Sequence, residues 1–195
     1  MSNSDLSFLD DEYKFEKNFW GTCVNTYGEE TKQWVYAHLM GLSVENWAID
    51  VGGKSILDIG GGPSSMLLKC RNKGTCVVAD PIRYPEWVYD RYKAHGVVSI
   101  TAPGETLHMS GFDEVWIYNV LQHCADPEKI IANARKAAKI LRIFEWVNIP
   151  PHEGHPQMLT KEDLDRWTRG NGTINELNVN GCVGTSYSGV YRFVS

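Results

Sequence analysis

The sequence has no apolar run of about 18 residues, the length that a membrane-spanning helix needs. Its first 12 residues are polar and acidic, unlike a secretory signal, which has a basic start and an apolar middle. The five cysteines are scattered and include no C-x-x-C pair, which argues against a disulfide framework and a zinc site. We therefore expect a cytoplasmic protein with reduced, mostly buried thiols, no membrane contact and no bound metal.

An excess of positive charge is also missing. The 19 lysines and arginines stand against 24 acidic residues, for a formal net charge of -5. This balance offers no overall attraction to phosphate backbones, so we do not expect a nucleic-acid partner. With 43% hydrophobic and 22% charged residues, the 195-residue chain has the composition and length of one globular domain.

The chain from Lys54 onward alternates short apolar runs with helical segments. We predict strands at 55–59, 75–79, 97–101, 113–118 and 140–147, and helices at 64–71, 85–95 and 127–139. Near-continuous apolar strands between helices indicate a mostly parallel sheet that is buried on both faces. The segments 173–179 and 186–194 are rich in β-branched and aromatic residues and flank a glycine-containing turn, which predicts an antiparallel hairpin.

Two helix starts are marked by capping residues. Asp126 followed by Pro127 predicts an N-cap and a first-turn proline. Thr160 with Asp163 resembles a capping box at the start of a further helix.

We divide the single predicted domain into a loose leader (1–12), an N-terminal helical cover (13–53) and a core (54–195). The cover carries aromatic residues at roughly helical spacing: Tyr13, Phe15, Phe19, Trp20, Trp34 and Tyr36. Such residues either form the packing face of the helices, the more usual case, or cover a ligand. Trp20 and Tyr27 flank Gly21 in a stretch that we expect to be a loop, so these two are the candidate lid residues.

The most informative stretch is 56–65, where an apolar strand runs into Gly60, Gly61 and Gly62 and then into a predicted helix. Glycine lets the backbone approach a ligand closely, and a helix N-terminus offers unpaired N–H groups. A turn of this kind lies at the carboxyl edge of an α/β sheet, where ligands bind. The stretch therefore predicts a ligand site.

The charge beside the turn favours one class of ligand. A nicotinamide-dinucleotide fingerprint needs a third spaced glycine, but the chain has Ser65 there, and Asp58 would repel a diphosphate. The same carboxylate suits a ligand with an ammonium and a sulfonium group, which favours S-adenosylmethionine. The alternative is that Asp58 only caps nearby backbone N–H groups.

A second acidic residue strengthens this interpretation. Asp80 ends the next strand, 20 residues beyond Gly60, where a carboxylate can accept both hydroxyls of a ribose. Pro81 then turns the chain away. The alternative is that Asp80 only caps the following segment.

The stretches 56–64, 78–80 and 112–123 together resemble the landmarks of the class I S-adenosylmethionine-dependent methyltransferases that act on small molecules. The resemblance covers about residues 54–167. It implies an α/β, Rossmann-like three-layer sandwich: a seven-stranded, mostly parallel sheet with an antiparallel C-terminal hairpin, plus the N-terminal helices. It also implies S-adenosylmethionine as cofactor, S-adenosylhomocysteine as its product form and a small-molecule acceptor. A monomer and a homodimer both remain open.

The resemblance also implies a role for each matching position. Asp58 and the three glycines would hold the methionine end of the cofactor, and Asp80 its ribose. The turn at 102–105, with Gly104 and Glu105, would lie beside the adenine. The reactive side of the cofactor would face Asn119, Val120 and Leu121. Trp20 lies outside the matching stretches and stays a candidate lid over the cofactor.

The chain departs from the family pattern at two places. Pro103 and Gly104 stand where relatives carry an acid for the adenine amino group, so adenine would be recognised by backbone or by Glu105. The Pro-Gly-Gly turn before the fifth strand is missing, because residues 138–142 run straight through. A different reaction of the cofactor, or a regulatory or partner subunit without turnover, therefore stays open.

Candidates for the acceptor side follow the fourth and fifth strands. His123 is the candidate general base, which is needed only if the acceptor must lose a proton; it could instead simply be bonded at a helix start. Tyr27, Glu145 and His155 are candidate acceptor contacts, and we expect a buried Glu145 to need a partner such as Arg142 or a ligand. His152 and His155 lie among prolines without a third ligand at suitable spacing, so we predict no metal there.

Overall fold

The computed structural model describes residues 14, 20 and 23–193. The predicted leader (1–12) and the aromatic residues Tyr13, Phe15 and Phe19 lie outside the described residues. In chain order the elements are α1 (Cys23–Leu39), β1 (Val44–Glu45), β2 (Ala48–Asp50), β3 (Ile56–Ile59), β4 (Cys70–Arg71), β5 (Cys76–Asp80), α2 (Glu86–Ala94), β6 (Val97–Thr101), β7 (Phe112–Tyr118), α3 (Pro127–Ala137), β8 (Ala138–Val147), α4 (Lys161–Thr168), β9 (Thr173–Val179) and β10 (Cys182–Arg192).

The main sheet has seven strands in the order β6-β5-β3-β7-β8-β10-β9. Strand β10 runs antiparallel to both β8 and β9, and the other neighbouring pairs are parallel. The predicted sheet with its antiparallel C-terminal hairpin is confirmed. The chain winds outward from β3 through β5 and β6, then returns to place β7 on the other side of β3, so a crevice opens at the carboxyl ends of these strands.

Helices cover both faces of this sheet. One face packs against α3 and α4 through residues such as Ile130, Ala134 and Leu164. The other face packs against α1 and α2 through residues such as Tyr36 and Val88. The predicted three-layer arrangement is confirmed, and the described part of the N-terminal cover contributes core side chains to it.

The predicted helix at 64–71 is wrong. The structure has a single 3-10 turn at Met66–Lys69, followed directly by β4. Strand β4 pairs in parallel with β2, and together with β1 they form a small three-stranded sheet that the sequence did not lead us to expect. Pairing of Cys70 and Arg71 with this sheet replaces the helical hydrogen bonds that a longer helix would need.

The other boundaries follow the sequence more closely. Asp126 accepts a hydrogen bond from the Lys129 N–H at the start of α3, and Thr160 accepts one from the Asp163 N–H at the start of α4, as predicted. Helix α3 passes into β8 without an intervening turn. Strand β10 begins at Cys182 rather than 186, because Asn180 and Gly181, with φ of 51° and 82°, make a two-residue hairpin turn.

The described cysteine side chains form no disulfide. Cys76 is buried, Cys70 and Cys124 are partly buried, and Cys182 is exposed. The prediction that the thiols are mostly buried is therefore only partly met, and the Cys23 side chain lies outside the described residues.

Candidate functional site

A cavity of about 450 Å³ opens at the carboxyl edge of the sheet. Of the residues selected from the sequence, it is lined by Trp20, Gly60, Gly62, Asp80, Pro81, Gly104, Glu105, Asn119, Val120, His123 and His155. The remaining selected residues do not line it: Tyr27, Asp58, Gly61, Leu121 and Glu145. The carboxyl ends of the five parallel strands, β3, β5, β6, β7 and β8, and the loops that follow them thus meet around one space.

The glycine turn after β3 needs glycine at its first position for two reasons. Gly60 has φ of +78°, and a Cβ there would lie 2.5 Å from both γ-carbons of Val120. Gly62 has φ of +62°, and its N–H donates to Asp80 Oδ2 at 3.0 Å. The turn is therefore held against both the loop after β7 and the end of β5.

The N–H groups that follow the turn already have acceptors within the protein. Ser65 N–H donates to the Tyr92 hydroxyl at 2.9 Å, and Met66 N–H donates to the Tyr118 hydroxyl at 2.9 Å. Leu67 N–H donates to Ser65 Oγ at 3.0 Å. Because the segment is one 3-10 turn with its first donors occupied, the anion-binding helix N-terminus that we expected here is absent.

Asp58 lies behind the glycine turn rather than in the cavity. Its side chain is fully buried, and Oδ2 accepts hydrogen bonds from the hydroxyls of Ser65 and Tyr118, the latter at 2.6 Å. Burial raises the pKa of Asp58 to about 7, against the lowering effect of these two hydroxyls. The structure therefore assigns Asp58 to supporting the turn, which corrects the expectation of a direct ligand contact.

Asp80 is the carboxylate that reaches the cavity. Its Oδ1 accepts from the Ile82 N–H at 2.9 Å and from the Tyr84 hydroxyl at 3.2 Å, while Oδ2 accepts from Gly62. Each carboxylate oxygen can accept more than one hydrogen bond, so Asp80 can still receive ligand hydroxyls. Asp80 thus caps the segment that follows it, through the Ile82 N–H, and also presents its carboxylate to the cavity.

The turn after β6 is held by a residue that the sequence analysis missed. Asn133, buried on α3, donates from Nδ2 to the carbonyl oxygens of Gly104 and Glu105, both at 3.0 Å. The Glu105 carboxylate accepts from the N–H groups of Ala125 and Asp126 at 3.1 and 3.3 Å. Both Gly104 and Glu105 line the cavity, and their positions are set by α3 and by the loop before it.

Glu145 stands behind the loop that follows β7. It is fully buried, and its carboxylate accepts from the N–H groups of Val120 and Leu121 at 3.1 Å. Burial raises the pKa of Glu145 to about 8. Arg142, the partner that we suggested, pairs instead with Glu114 at 2.7 Å, so the predicted acceptor contact of Glu145 becomes support for the loop.

The neighbour of Glu145 faces the cavity instead. Side chains alternate between the two faces of a strand, and Trp146 packs with Phe144 on the α1 side of β8 and lines the cavity. Strand parity was the signal that could have selected Trp146 from the sequence.

Three histidines line one wall of the cavity. His123 and His155 have ring centroids 4.7 Å apart, and His152 and His155 have theirs 4.4 Å apart. His123 Nδ1 lies 2.6 Å from the Gly154 carbonyl oxygen. Since a carbonyl only accepts, Nδ1 carries the proton in the neutral ring, and the unprotonated Nε2 accepts from the Gln122 side-chain amide at 3.3 Å.

Helix α1 supplies another part of the cavity wall. Glu29 and Lys32 line the cavity as an ion pair of 2.5 Å. Burial acts to lower the pKa of Lys32, but its bonds to Glu29 and Cys182 leave that pKa raised. Tyr27 lies within this helix rather than in a loop and is 74% exposed, so the expectation of a lid at Tyr27 is wrong. Trp20 is helical and lines the cavity.

The fold resembles solved structures over nearly its whole length. The Burkholderia thailandensis 1,6-didemethyltoxoflavin N1-methyltransferase, solved with 1,6-didemethyltoxoflavin and S-adenosylhomocysteine, gives a TM-score of 0.67 at 14% identity, over 100% of this chain and 92% of that one. The magnesium protoporphyrin IX methyltransferase of Synechocystis PCC 6803, solved with S-adenosylhomocysteine, gives 0.65 at 11% identity, over 96% and 99%. The chain has the class I methyltransferase fold.

A solved structure that is named for a different reaction also resembles this chain. The [4+2]-cyclase SpnF gives a TM-score of 0.59 at 14% identity, over 83% of this chain and 80% of that one. No protein-family model matches the chain, and no curated protein sequence does either. The fold alone therefore does not identify the reaction, and the function has to be inferred from the residues of the site.

The described residues hold neither a candidate metal centre nor a candidate membrane-spanning helix. Among residues 14, 20 and 23–193, no three His, Cys, Asp or Glu side chains are grouped so that they could hold a metal ion. Within these same described residues, no helix is long and apolar enough to cross a lipid bilayer.

Proposed function

We propose that this chain transfers a methyl group from S-adenosylmethionine to a small-molecule acceptor. The observation that carries the proposal is the electrostatic character of the glycine turn. Its following N–H groups bond to protein hydroxyls, while the Asp80 carboxylate lines the cavity.

This arrangement favours a cationic nucleoside over a dinucleotide. A diphosphate would have to sit beside Asp80 without the helix N-terminus that normally holds it, and like charges repel strongly in a partly desolvated site. A sulfonium and an ammonium group need no such N–H donors, and the Asp80 carboxylate nearby attracts rather than repels them. Two of the solved structures with this fold contain S-adenosylhomocysteine, which agrees with this choice.

The residues that line the cavity fit this cofactor. We place the ribose hydroxyls at Asp80, the methionine end at Gly60 and Gly62, and the adenine between Gly104 and Glu105. Because Asn133 and the Glu105 side chain are already engaged in holding this turn, we propose that backbone groups and apolar contacts recognise the adenine.

Asn119 and Val120 would flank the reactive side. When bound, the cofactor supplies an activated methyl group on sulfur, so the protein mainly has to align the acceptor and exclude water. Trp20, Trp146 and Ile149 line the cavity and give it an apolar wall suited to both tasks.

His123 is our candidate for proton removal. Its Nδ1–H is committed to the Gly154 carbonyl, so Nε2 is the nitrogen that takes a proton once an acceptor hydroxyl, thiol or ammonium replaces the Gln122 amide beside it. We therefore expect a role for His123 with an alcohol, phenol, thiol or protonated amine as acceptor, and no role with an acceptor that needs no deprotonation. His155, 4.7 Å away between ring centroids, would contact the same acceptor.

The test is incubation with S-adenosylmethionine and a library of small acceptors, followed by mass spectrometry. We expect S-adenosylhomocysteine together with a product that is heavier than the acceptor by one CH₂ group, about 14 Da. S-adenosylmethionine that binds without turnover across the library would favour the regulatory alternative. Any other cofactor-derived product would favour a different reaction.

The His123→Gln variant refines the test once an acceptor is known. If His123 is the base, kcat falls while KM for the cofactor is unchanged. His108→Gln is the matched control, because this exposed histidine does not line the cavity.

A further inference from the structure

A second, smaller cavity lies at the opposite edge of the sheet. It has a volume of about 210 Å³ and shares no lining residue with the first cavity. Arg192, which lines it, pairs with Ile140 near the start of β8, whereas the first cavity lies at the carboxyl ends of the parallel strands. It is therefore separate from the proposed cofactor site.

Three arginines from three elements converge on this second cavity. Arg135 comes from the last turn of α3, Arg169 from the C-cap of α4 and Arg192 from the end of β10. The Arg135 guanidinium also lies over the ring of Phe193, with Cζ 5.1 Å from the ring centroid. In a chain of net charge -5, this is a local concentration of positive charge.

These charges have no counter-charge among the described residues. Within residues 23–193, none of the three guanidinium groups forms an ion pair or donates a side-chain hydrogen bond, and the buried Nε of Arg135 has no acceptor. The nearby carboxylate of Asp165 is already engaged by Lys161, the Gly172 N–H and the Tyr187 hydroxyl. Burial, and then the charge of Arg169, lowers the pKa of Arg135.

Helix dipoles do not account for the cluster. Cations are favourable at the C-terminal ends of α3 and α4, which would place Arg135 and Arg169 there individually. Neither side chain bonds to a carbonyl of the described residues, however, and Arg192 belongs to a strand. The three like charges gather around an open space, which costs free energy unless an anion enters it.

We propose that this second cavity binds a small oxyanion, a phosphate group carried free or on a small metabolite. The planar, multidentate guanidinium group matches the oxygens of phosphate, and the converging arginines can contact the group from three directions. The volume of about 210 Å³ admits a phosphoryl group with a small substituent. This site is independent of the proposed methyl transfer.

Thermal unfolding in phosphate is the first test. We expect 20 mM inorganic phosphate to raise the melting temperature of the wild-type protein by about 2–4 °C over sodium chloride of equal ionic strength. The Arg169→Gln/Arg192→Gln double variant should lose this response. Without phosphate the double variant should melt at the same temperature as wild type or higher, because like charges have been removed. Arg192→Gln alone, at an exposed position, gives the same test should the double variant fold poorly.

Arg166→Gln is the matched control. Arg166 lies on α4 beside the site but pairs with Asp163 at 2.7 Å and does not line the cavity. We expect this variant to keep the full phosphate response. An equal response in the double variant would show a general salt effect and overturn the proposal, and so would no response in wild type.

Phosphorus NMR separates the two sources of the phosphate group. Titration of the protein into inorganic phosphate or glycerol phosphate should broaden the signal in wild type and not in the double variant. A stronger effect with glycerol phosphate assigns the site to a phosphorylated metabolite, and a stronger effect with inorganic phosphate assigns it to the free ion. Broadening of equal size in wild type and the double variant would contradict the site.

Discussion

The buried carboxyl of Asp58 should make folding stability fall as the pH rises toward neutrality. Its folded pKa is about 7, against an ordinary value of 3.8. Between these values the folded state holds a proton that the unfolded state has released, so the free energy of unfolding decreases with pH. The slope is about 1.4 kcal/mol per pH unit, which amounts to about 2 kcal/mol between pH 5 and pH 7.

The Asp58→Asn variant removes this contribution. Its amide still accepts hydrogen bonds from Ser65 and Tyr118, and any cost of burying the new N–H group does not depend on pH. Urea unfolding at pH 5, 6 and 7 should therefore show the variant gaining about 2 kcal/mol relative to wild type over this range. Taking differences between the two proteins cancels the titration of groups that do not interact electrostatically with Asp58, Glu145 included.

Asp50→Asn is the control for this experiment. Asp50 is exposed, and the Gly52 N–H above all lowers its pKa below 3.8, so it stays ionised from pH 5 to pH 7 in both states. The free energy of unfolding of Asp50→Asn should therefore change with pH by the same amount as that of wild type. If the free energy of unfolding of Asp58→Asn also changed with pH as that of wild type does, a protonated carboxyl behind the glycine turn would be refuted.

Two further substitutions test the glycine turn and a buried ion pair of the main sheet. Gly60→Ala places a Cβ 2.5 Å from the γ-carbons of Val120, so we expect S-adenosylmethionine to bind at least about tenfold more weakly by calorimetry, a cost of about 1.4 kcal/mol. Gly96→Ala, also at positive φ but with no atom within 4 Å of the new Cβ, should keep wild-type affinity, and the same affinity in both variants would contradict the turn geometry. Arg142→Met leaves Glu114 buried with Lys54 as its remaining cation, and should cost about 3 kcal/mol in urea unfolding at pH 7. Less than about 1 kcal/mol would show that the pair does not stabilise the fold.

The fold could be predicted because its signals are local. Apolar strands, the capping residues Asp126 and Thr160 and the glycine turn each determine their own segment, and together they leave few topologies. The helix at 64–71 was mispredicted because its outcome depends on distant groups. The hydroxyls of Tyr92 and Tyr118 take the N–H groups of this segment, and β2 pairs with its end.

The site was predictable only in part for the same reason. Asp80 ends its strand at the sheet edge, so position alone brings it to the cavity. Asp58 lies within β3, and its orientation depends on Ser65 and Tyr118. Asn133 contributes from a helix that is distant in sequence, and no local pattern marks it.

The central claim is that the cavity at the carboxyl edge binds S-adenosylmethionine with its ribose at Asp80, and that its glycine turn lacks the free N–H groups that a diphosphate needs. The most direct measurement is isothermal titration calorimetry of S-adenosylmethionine and, separately, of NAD, with wild type and Asp80→Asn. We predict that S-adenosylmethionine binds wild type, that Asp80→Asn weakens binding by about 1–3 kcal/mol, and that NAD gives no binding heat. Tight binding of NAD, or unchanged affinity of Asp80→Asn for S-adenosylmethionine, would contradict it.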